Sequence, residues 1–341
     1  MNNKLVKLEL LDFLRGALAF LVMIYHFNLW NGNKTNFLNF IGIYGVESFF
    51  ILSGVVLTYT YSKNKLDIFS YFMKRFLRIL PLFYFVVLIE IIYKILFVDI
   101  QINQILQVII GDLFLLNMFQ PHLTSVVSGW SIMVEMLFYM LFPLLLLIKK
   151  EYIYLVTVLI VVLTYYIFNF YILDFNEPFE PQNKYYVSFI FNFLFFLIGM
   201  SIAKIRLNTS FYIQNYKILF LTIIVILIWS NIYRIENYMF FLMNEYRIIS
   251  ILLISILIFI CTFTIFENKN NFISNTLSFL AKISYSLYLL HFLVYFFMTT
   301  FLNISNLYII IIVTIFISYI SYLLIELKFT SLLRLYVFKQ K

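Results

Sequence analysis

Three ionisable side chains interrupt the apolar stretch LDFLRGALAFLVMIYHFNLW at residues 11–30: Asp12, Arg15 and His26. The stretch is long enough to cross a bilayer as a helix. A charge inside such a helix costs about 3 kcal/mol or more, so by default it marks a functional site. Arg15 and His26 are eleven residues apart. At ~100° per residue that is about three turns, which places both on one face, roughly 16 Å apart along the axis. An imidazole of near-neutral pKa can take a proton from a hydroxyl. A nearby carboxylate can hold its tautomer and stabilise the imidazolium. Glu47 and Glu135 are carboxylates in apolar runs that could serve, if packing brings their helices to His26. Arg15, Arg75 and Arg78 suit a polyanionic ligand, because guanidinium groups bind phosphates bidentately and keep their charge. A phosphorylated donor at one end and a general base at the other describes group transfer across a membrane.

The elements that must carry these groups are membrane helices. Of the 341 residues, 64% are hydrophobic, 21% aromatic and only 12% charged. Soluble domains carry about twice that charge. Ten apolar runs near 20 residues stand out, at 9–30, 39–60, 79–98, 126–148, 152–173, 185–205, 216–234, 247–266, 282–302 and 306–326. The alternating ten-residue pattern of a membrane barrel is missing. The expected fold class is therefore all-α, a polytopic membrane protein of about ten spans, treated as a single domain over 1–341. Lysines and arginines divide unevenly between alternate connections. One set holds eighteen; the other holds Lys34, Lys184, Arg234 and Arg247 only. The positive-inside rule then predicts both termini in the cytoplasm. The first run carries Arg15 and no small-residue cleavage site follows it, so it is expected to be retained rather than removed as a signal peptide. The single cysteine, Cys261, allows no disulfide framework and no cysteine metal site within one chain. The net charge of +8 is explained by the loops, so no nucleic-acid partner is expected.

Two segments read as surface elements. Residues 66–80, LDIFSYFMKRFLRIL, place Phe69, Phe72, Phe76 and Leu80 at helical spacing, with Lys74, Arg75 and Arg78 largely off that stripe. This pattern predicts an amphipathic helix on the cytoplasmic face, ended by Pro81. Residues 101–120, with Asp112, read as interfacial on the outer side. Within the spans, His26, Glu47 and Glu135 are placed in the outer half and His291 near mid-depth. Arg15, Arg75, Arg78 and Glu326 are placed near the inner surface, completing a polar column. Each has a plainer reading. Arg15 could snorkel to headgroups, and His26 could be a hydrogen bonder between helices. Glu47 and Glu135 could sit in structural ion pairs, and Arg75 and Arg78 could hold anionic lipid. Glu90 and Lys94, four residues apart, read as a self-neutralising pair, and His122 as a solvated loop residue.

Motifs for zinc proteolysis, serine esterases and nucleotide-driven pumps are missing: there is no H-E-x-x-H, no G-x-S-x-G and no phosphate-cradling glycine loop. Other stretches do carry a resemblance. LDFLRGALAFLVMIYHF resembles the opening helix of the membrane acyltransferase-3 family, with its paired Arg15 and His26. IYGVESFFILSG (43–54) resembles the second-helix signature with Glu47, and FMKRFLRILPLFY (72–84) the R-x-x-R-I-x-P stretch. GWSIMVEMLFYMLFP (129–143) resembles the W-S-x-x-x-E motif through Trp130, Ser131 and Glu135. ISYSLYLLH (283–291) and Ile325-Glu326 resemble late signatures. The similarities run in family order from residue 11 to about 329. Lys282 and Leu327-Lys328 depart from the pattern.

The resemblance implies a multi-pass enzyme of the bacterial inner membrane. It implies transfer of an acyl group, acetyl from acetyl-CoA above all, to a hydroxyl of a surface, secreted or lipid-linked glycan. Arg15, His26 and Glu135 become the catalytic set, and Arg15, Arg75 and Arg78 the contacts to the acyl donor. Glu47, Ser53, Trp130, Ser131, Tyr285, His291 and Glu326 become site-lining candidates, with Ser53, Ser131 or Tyr285 as acyl carriers if a covalent intermediate forms. No metal is expected, and no soluble domain is expected after the helices. Membrane lipid is a partner by necessity. The main alternative is a transporter or flippase of a lipid-linked glycan or small anion. Pro81, Pro121, Pro143, Pro178 and Pro181 fall outside the expected helix centres, which disfavours the broken helices of transporters. An inactive relative is the third reading, and the retention of Arg15, His26 and Glu135 together speaks against it.

Overall fold

A computed structural model describes residues 8–33, 35–62, 66–97, 102–174, 177, 179–232, 244–264 and 272–331. Among the lysines and arginines counted for topology, Lys4, Lys7, Lys34, Lys63, Lys65, Arg234, Lys269, Arg334, Lys339 and Lys341 lie outside the described residues, as does Pro178. The described chain is helical, with no strand beyond one isolated bridge between Ile213 and Thr264. Its helices in chain order are α1 (Glu9–Trp30), α2 (Asn36–Tyr61), α3 (Ile68–Phe97), α4 (Ile102–Leu113), α5 (Gly129–Leu145) and α6 (Lys150–Ile167). After them come α7 (Phe179–Tyr186), α8 (Phe189–Asn208), α9 (Tyr216–Ile232), α10 (Asn244–Phe263), α11 (Phe272–Thr300) and α12 (Leu307–Ser321). Eight helices among the described residues are long and apolar enough to cross a membrane. The all-α, multi-pass membrane class is as expected. Two further apolar helices, α5 and α9, have 17 residues each. Each rises about 25 Å, a few ångströms short of the hydrocarbon core.

The chain forms two compact units. Unit 1 comprises Met1–Lys65, Leu144–Tyr186 and Ile190–Ala281; unit 2 comprises Leu66–Pro143, Val187–Phe189 and Lys282–Lys341.

Unit 1 is built on small residues that let helix backbones approach, the way helices associate where water supplies no drive. The Tyr25 ring fills the space over Gly42, and Val22 Cγ2 lies 2.7 Å from where a Gly45 Cβ would stand. α1 and α2 therefore run antiparallel with residue 25 level with 42. On the other side of α2, Gly54 and Gly199 of α8 face each other's helices. A Cβ on Gly199 would collide with the Ile51 carbonyl, and one on Gly54 with the Phe196 carbonyl. Gly16 does the same for α1 and α11: its Cβ would lie 2.5 Å from the Ala281 nitrogen.

Unit 2 corrects the expected surface helix. Residues 68–97 form one 30-residue helix with Pro81 inside it, so there is no separate amphipathic element ending at the proline. A proline interrupts the ladder, and neighbouring groups can make good the freed carbonyls in a membrane protein. Pro81 takes the amide donor from the Leu77 carbonyl; two residues on, the Tyr285 hydroxyl donates to the Ile79 carbonyl at 2.7 Å and ties this stretch to α11. The helix begins with an Asp67 cap, whose carboxylate accepts from the Ser70 amide at 3.3 Å and the Ser70 hydroxyl at 2.5 Å. Pro81 near the helix centre also removes the proline placement as an objection to transport.

Glu90 and Lys94 do not neutralise one another by contact. Lys94 Nζ donates to the Ser125 carbonyl at 3.3 Å, and Glu90 Oε1 is buried without a hydrogen bond. Beyond α3, Asp112 is sealed inside the turns that follow α4. It accepts from Asn117 Nδ2 at 2.7 Å, the Ser125 amide at 2.8 Å and the Ser125 hydroxyl at 2.6 Å. Three hydrogen bonds satisfy the carboxylate and pin the segment that leads into α5.

Candidate functional site

In unit 1, α1 runs unbroken through both Arg15 and His26, as the spacing predicts. Between them on the same face, Ala19 and Val22 are fully buried. That face therefore packs on protein, where intramembrane ionisable groups belong. His26 is half-buried, its ring stacked on Trp30 at 5.3 Å and tilted against Tyr25 at 4.8 Å. Arg15 is held at the α1–α11 crossing: Nη2 donates to the Ala281 carbonyl at 3.3 Å and pairs with Asp12 Oδ1 at 3.2 Å. Ser53, half-buried, is on α2.

Glu47 is fully buried, and its partner is Arg247 of α10, with Oε1 and Nη1 3.3 Å apart. The other oxygen, Oε2, makes no hydrogen bond, so Glu47 does not hold the His26 ring. The register of α1 on α2 gives the reason. With 25 level with 42 and 22 with 45, Glu47 stands about six residues, roughly 9 Å, from His26 along the axis. Arg247 is the residue that sequence reasoning missed. The charge count places it in a connection between spans, whereas it lies in a helix, 5% exposed, with its guanidinium 4.0 Å from the Phe191 ring centre and 5.6 Å from that of Phe195. The available signal was a buried carboxylate that needed a cation.

Unit 2 gathers most of the other candidates. α5 carries Ser128, Ser131, Glu135 and Tyr139 along one stripe, counting the residue just before its first turn. The Tyr139 hydroxyl donates to Glu135 Oε1, and Arg75 lies over the Tyr139 ring, its Cζ 5.8 Å from the centre. The charges of Arg75 and Arg78 both reach Tyr139. The Tyr71 hydroxyl fixes the same turn by donating to the Tyr139 carbonyl at 3.0 Å. Arg75 and Arg78 are thus half-buried groups near Tyr139, carried on the long α3 and not on a separate surface helix.

Facing this stripe, α11 brings Tyr285, Tyr288 and His291. The Ser131 and Tyr288 hydroxyls are 2.8 Å apart, and His291 Nδ1 is 2.6 Å from the Tyr288 carbonyl. Glu326 closes a π-helical turn, Tyr322–Glu326, and accepts from the Ser286 hydroxyl. Glu326, Glu135 and Arg78 are all within electrostatic range of Tyr285. Trp130 is half-buried at the start of α5. Tyr139 and Tyr288 were not among the expected site residues; i+4 spacing from Glu135 was the only sign of Tyr139.

Unit 2 holds a carboxylate gripped by a phenol with two guanidinium groups close to that phenol, and unit 1 by itself holds an aromatic-stacked imidazole on a protein-facing helix. They are the parts that acyl transfer to a hydroxyl uses. The family model described as an acyltransferase domain matches residues 8–326. The chain belongs to the membrane acyltransferase-3 family. It is an acyltransferase of a multi-pass membrane type, and the match spans every candidate residue named above. No curated protein and no solved structure matches it.

Proposed function

We propose that this acyltransferase moves an acetyl group from cytoplasmic acetyl-CoA to a hydroxyl of a surface, secreted or lipid-linked glycan. It would do so in the bacterial inner membrane, through about ten spans with both termini inside. His26 is the general base: it removes the proton as the acceptor oxygen attacks the thioester carbon. The C–S bond breaks, and the proton returns to the departing CoA sulfur, giving the ester and free CoA. Glu135 is the catalytic carboxylate, since Glu47 is committed to Arg247. Arg75 and Arg78 bind the donor's phosphates, and Arg15 holds the base-bearing helix and its charge in place. Direct transfer is the simpler course; Ser53, Ser131 and Tyr285 are the carriers in a two-step course. Site-lining roles fall to Trp130, His291 and Glu326.

The observation that supports this reading best is the Arg75–Tyr139–Glu135 contact. It joins anion-binding groups to a carboxylate within a chain that the acyltransferase family covers from 8 to 326. The test is a mass comparison of surface glycan from wild type, a deletion strain, and the deletion complemented with His26→Ala. Loss of a base-labile acetyl ester in the deletion, unrestored by the variant, is expected. Full restoration by His26→Ala would remove His26 as base. A glycan of unchanged mass but reduced amount at the surface would favour the transporter.

A further inference from the structure

Three buried oxygens on one side of unit 2 have no hydrogen-bond partner: Glu90 Oε1, Thr124 Oγ1 and Ser128 Oγ. Glu90 and Ser128 are 4% and 5% exposed. An unpaired carboxylate oxygen in such surroundings is expensive, and native folds seldom tolerate one without use.

Helical spacing and two contacts place them together. Phe83, Val87, Glu90 and Lys94 share one face of α3. At one end of that face Lys94 bonds the Ser125 carbonyl. At the other, a Cβ on Gly129 would lie 3.3 Å from Phe83 Cε2 and 3.0 Å from Thr124 Oγ1. Residues 124–129 therefore run along this face, and Glu90, between the two anchors, looks onto them. The remaining polar groups here are already engaged: Asp112 takes both Ser125 donors, and Lys94 takes the Ser125 carbonyl. What stays available is one carboxylate oxygen and two hydroxyls. From Ser128 the polar stripe continues through Ser131 to Glu135, seven residues and roughly 10 Å along α5.

We propose that Glu90, Thr124 and Ser128 form a subsite for a neutral, polyhydroxylated acceptor, roughly 10 Å along the α5 stripe from Glu135. A carboxylate oxygen accepts from a sugar hydroxyl, while serine and threonine hydroxyls both donate and accept. Lys94 keeps its charge while bonded to the Ser125 carbonyl and lies within electrostatic range of Glu90, so the subsite carries little net charge and suits a neutral sugar. The inference rests on the glycan-acetylation reading and names where that acceptor is held.

The experiment uses membrane vesicles containing the full chain, labelled acetyl-CoA, and polysaccharide extracted from the deletion strain as acceptor. Initial rates are read against each substrate for wild type, Glu90→Gln and Ser128→Ala. Glu90→Gln keeps size and shape but loses the charged acceptor. It is expected to raise the KM for polysaccharide about tenfold, with the KM for acetyl-CoA unchanged. Ser128→Ala moves the same parameter by less. Wild-type acceptor KM values in both variants would overturn the subsite alone. So would equal losses for both substrates with a lowered melting temperature, the mark of a merely structural role. If wild type itself transfers no label to polysaccharide, the glycan reading fails and the subsite with it.

Discussion

Glu47 Oε1 and Arg247 Nη1 lie 3.3 Å apart, with their side chains 1% and 6% exposed. The pair ties α2 to α10 and is buried on both sides. A buried pair is a weak source of stability in itself, but a lone survivor of one is very costly. We predict that Arg247→Met destabilises the protein by about 3–5 kcal/mol, and that Glu47→Met added to it restores most of the loss. Thermal unfolding in detergent reads both. A double variant no more stable than Arg247→Met would remove the pair from the account.

Tyr139 grips Glu135 through its hydroxyl while its ring lies against Arg75. Tyr139→Phe keeps the ring and deletes the donor. The expected outcome is a drop in kcat of about tenfold, the effect of one hydrogen bond to a charged group, with the melting temperature little changed. Steady-state rates in vesicles test it; undiminished kcat would detach Tyr139 from the chemistry.

Arg75→Lys should act on the donor instead. Lysine keeps the charge but loses the planar fork that grips phosphate. A rise in the KM for acetyl-CoA with an unchanged KM for acceptor is expected. The opposite pattern would place Arg75 on the acceptor side.

Gly199 meets the Ile51 backbone with no room for a Cβ. Backbone atoms cannot swing aside, so Gly199→Ala must push α8 off α2. A loss of about 1–3 kcal/mol is expected, seen as a lower melting temperature and a smaller folded fraction in detergent. An unshifted melt would show that the helices separate freely.

Asp67 caps α3, and the Ser70 hydroxyl and amide donate to it. These bonds favour the ionised form and hold the carboxyl below its usual range. A lowered folded pKa means the contribution is complete above the unfolded value near ~4 and disappears as pH falls through the folded value. Melting temperatures of wild type and Asp67→Asn should differ at neutral pH and converge as the pH falls through the lowered folded value. Curves that stay parallel throughout that range would show that the cap is not titrating.

Much of the molecule was legible from local pattern. The unbroken α1, with Arg15 and His26 on one face, follows from helical periodicity alone. The apolar runs fixed the class, because a chain this hydrophobic has no soluble alternative. Pro81 was misread for a physical reason. A local rule counts the hydrogen bond that proline removes, but not the packing of α3 on distant segments, such as the Tyr285 hydroxyl on the Ile79 carbonyl two residues before Pro81. Spacing on one helix puts the Lys94 charge within reach of Glu90, yet the ammonium's hydrogen bond goes to the Ser125 carbonyl, which only the tertiary structure brings near.

Composition, hydropathy and motif order determined that this is a helical membrane acyltransferase, because those signals lie within single segments. Which groups meet was decided by tertiary packing. Glycine seams set the register of α1 on α2 and so gave Glu47 to Arg247 rather than to His26. The continuation of α3 through Pro81 carried Arg75 off a separate surface helix and up against Tyr139, whose hydroxyl donates to Glu135. Groups that meet here come from segments 200 residues and more apart, and no local periodicity encodes that distance.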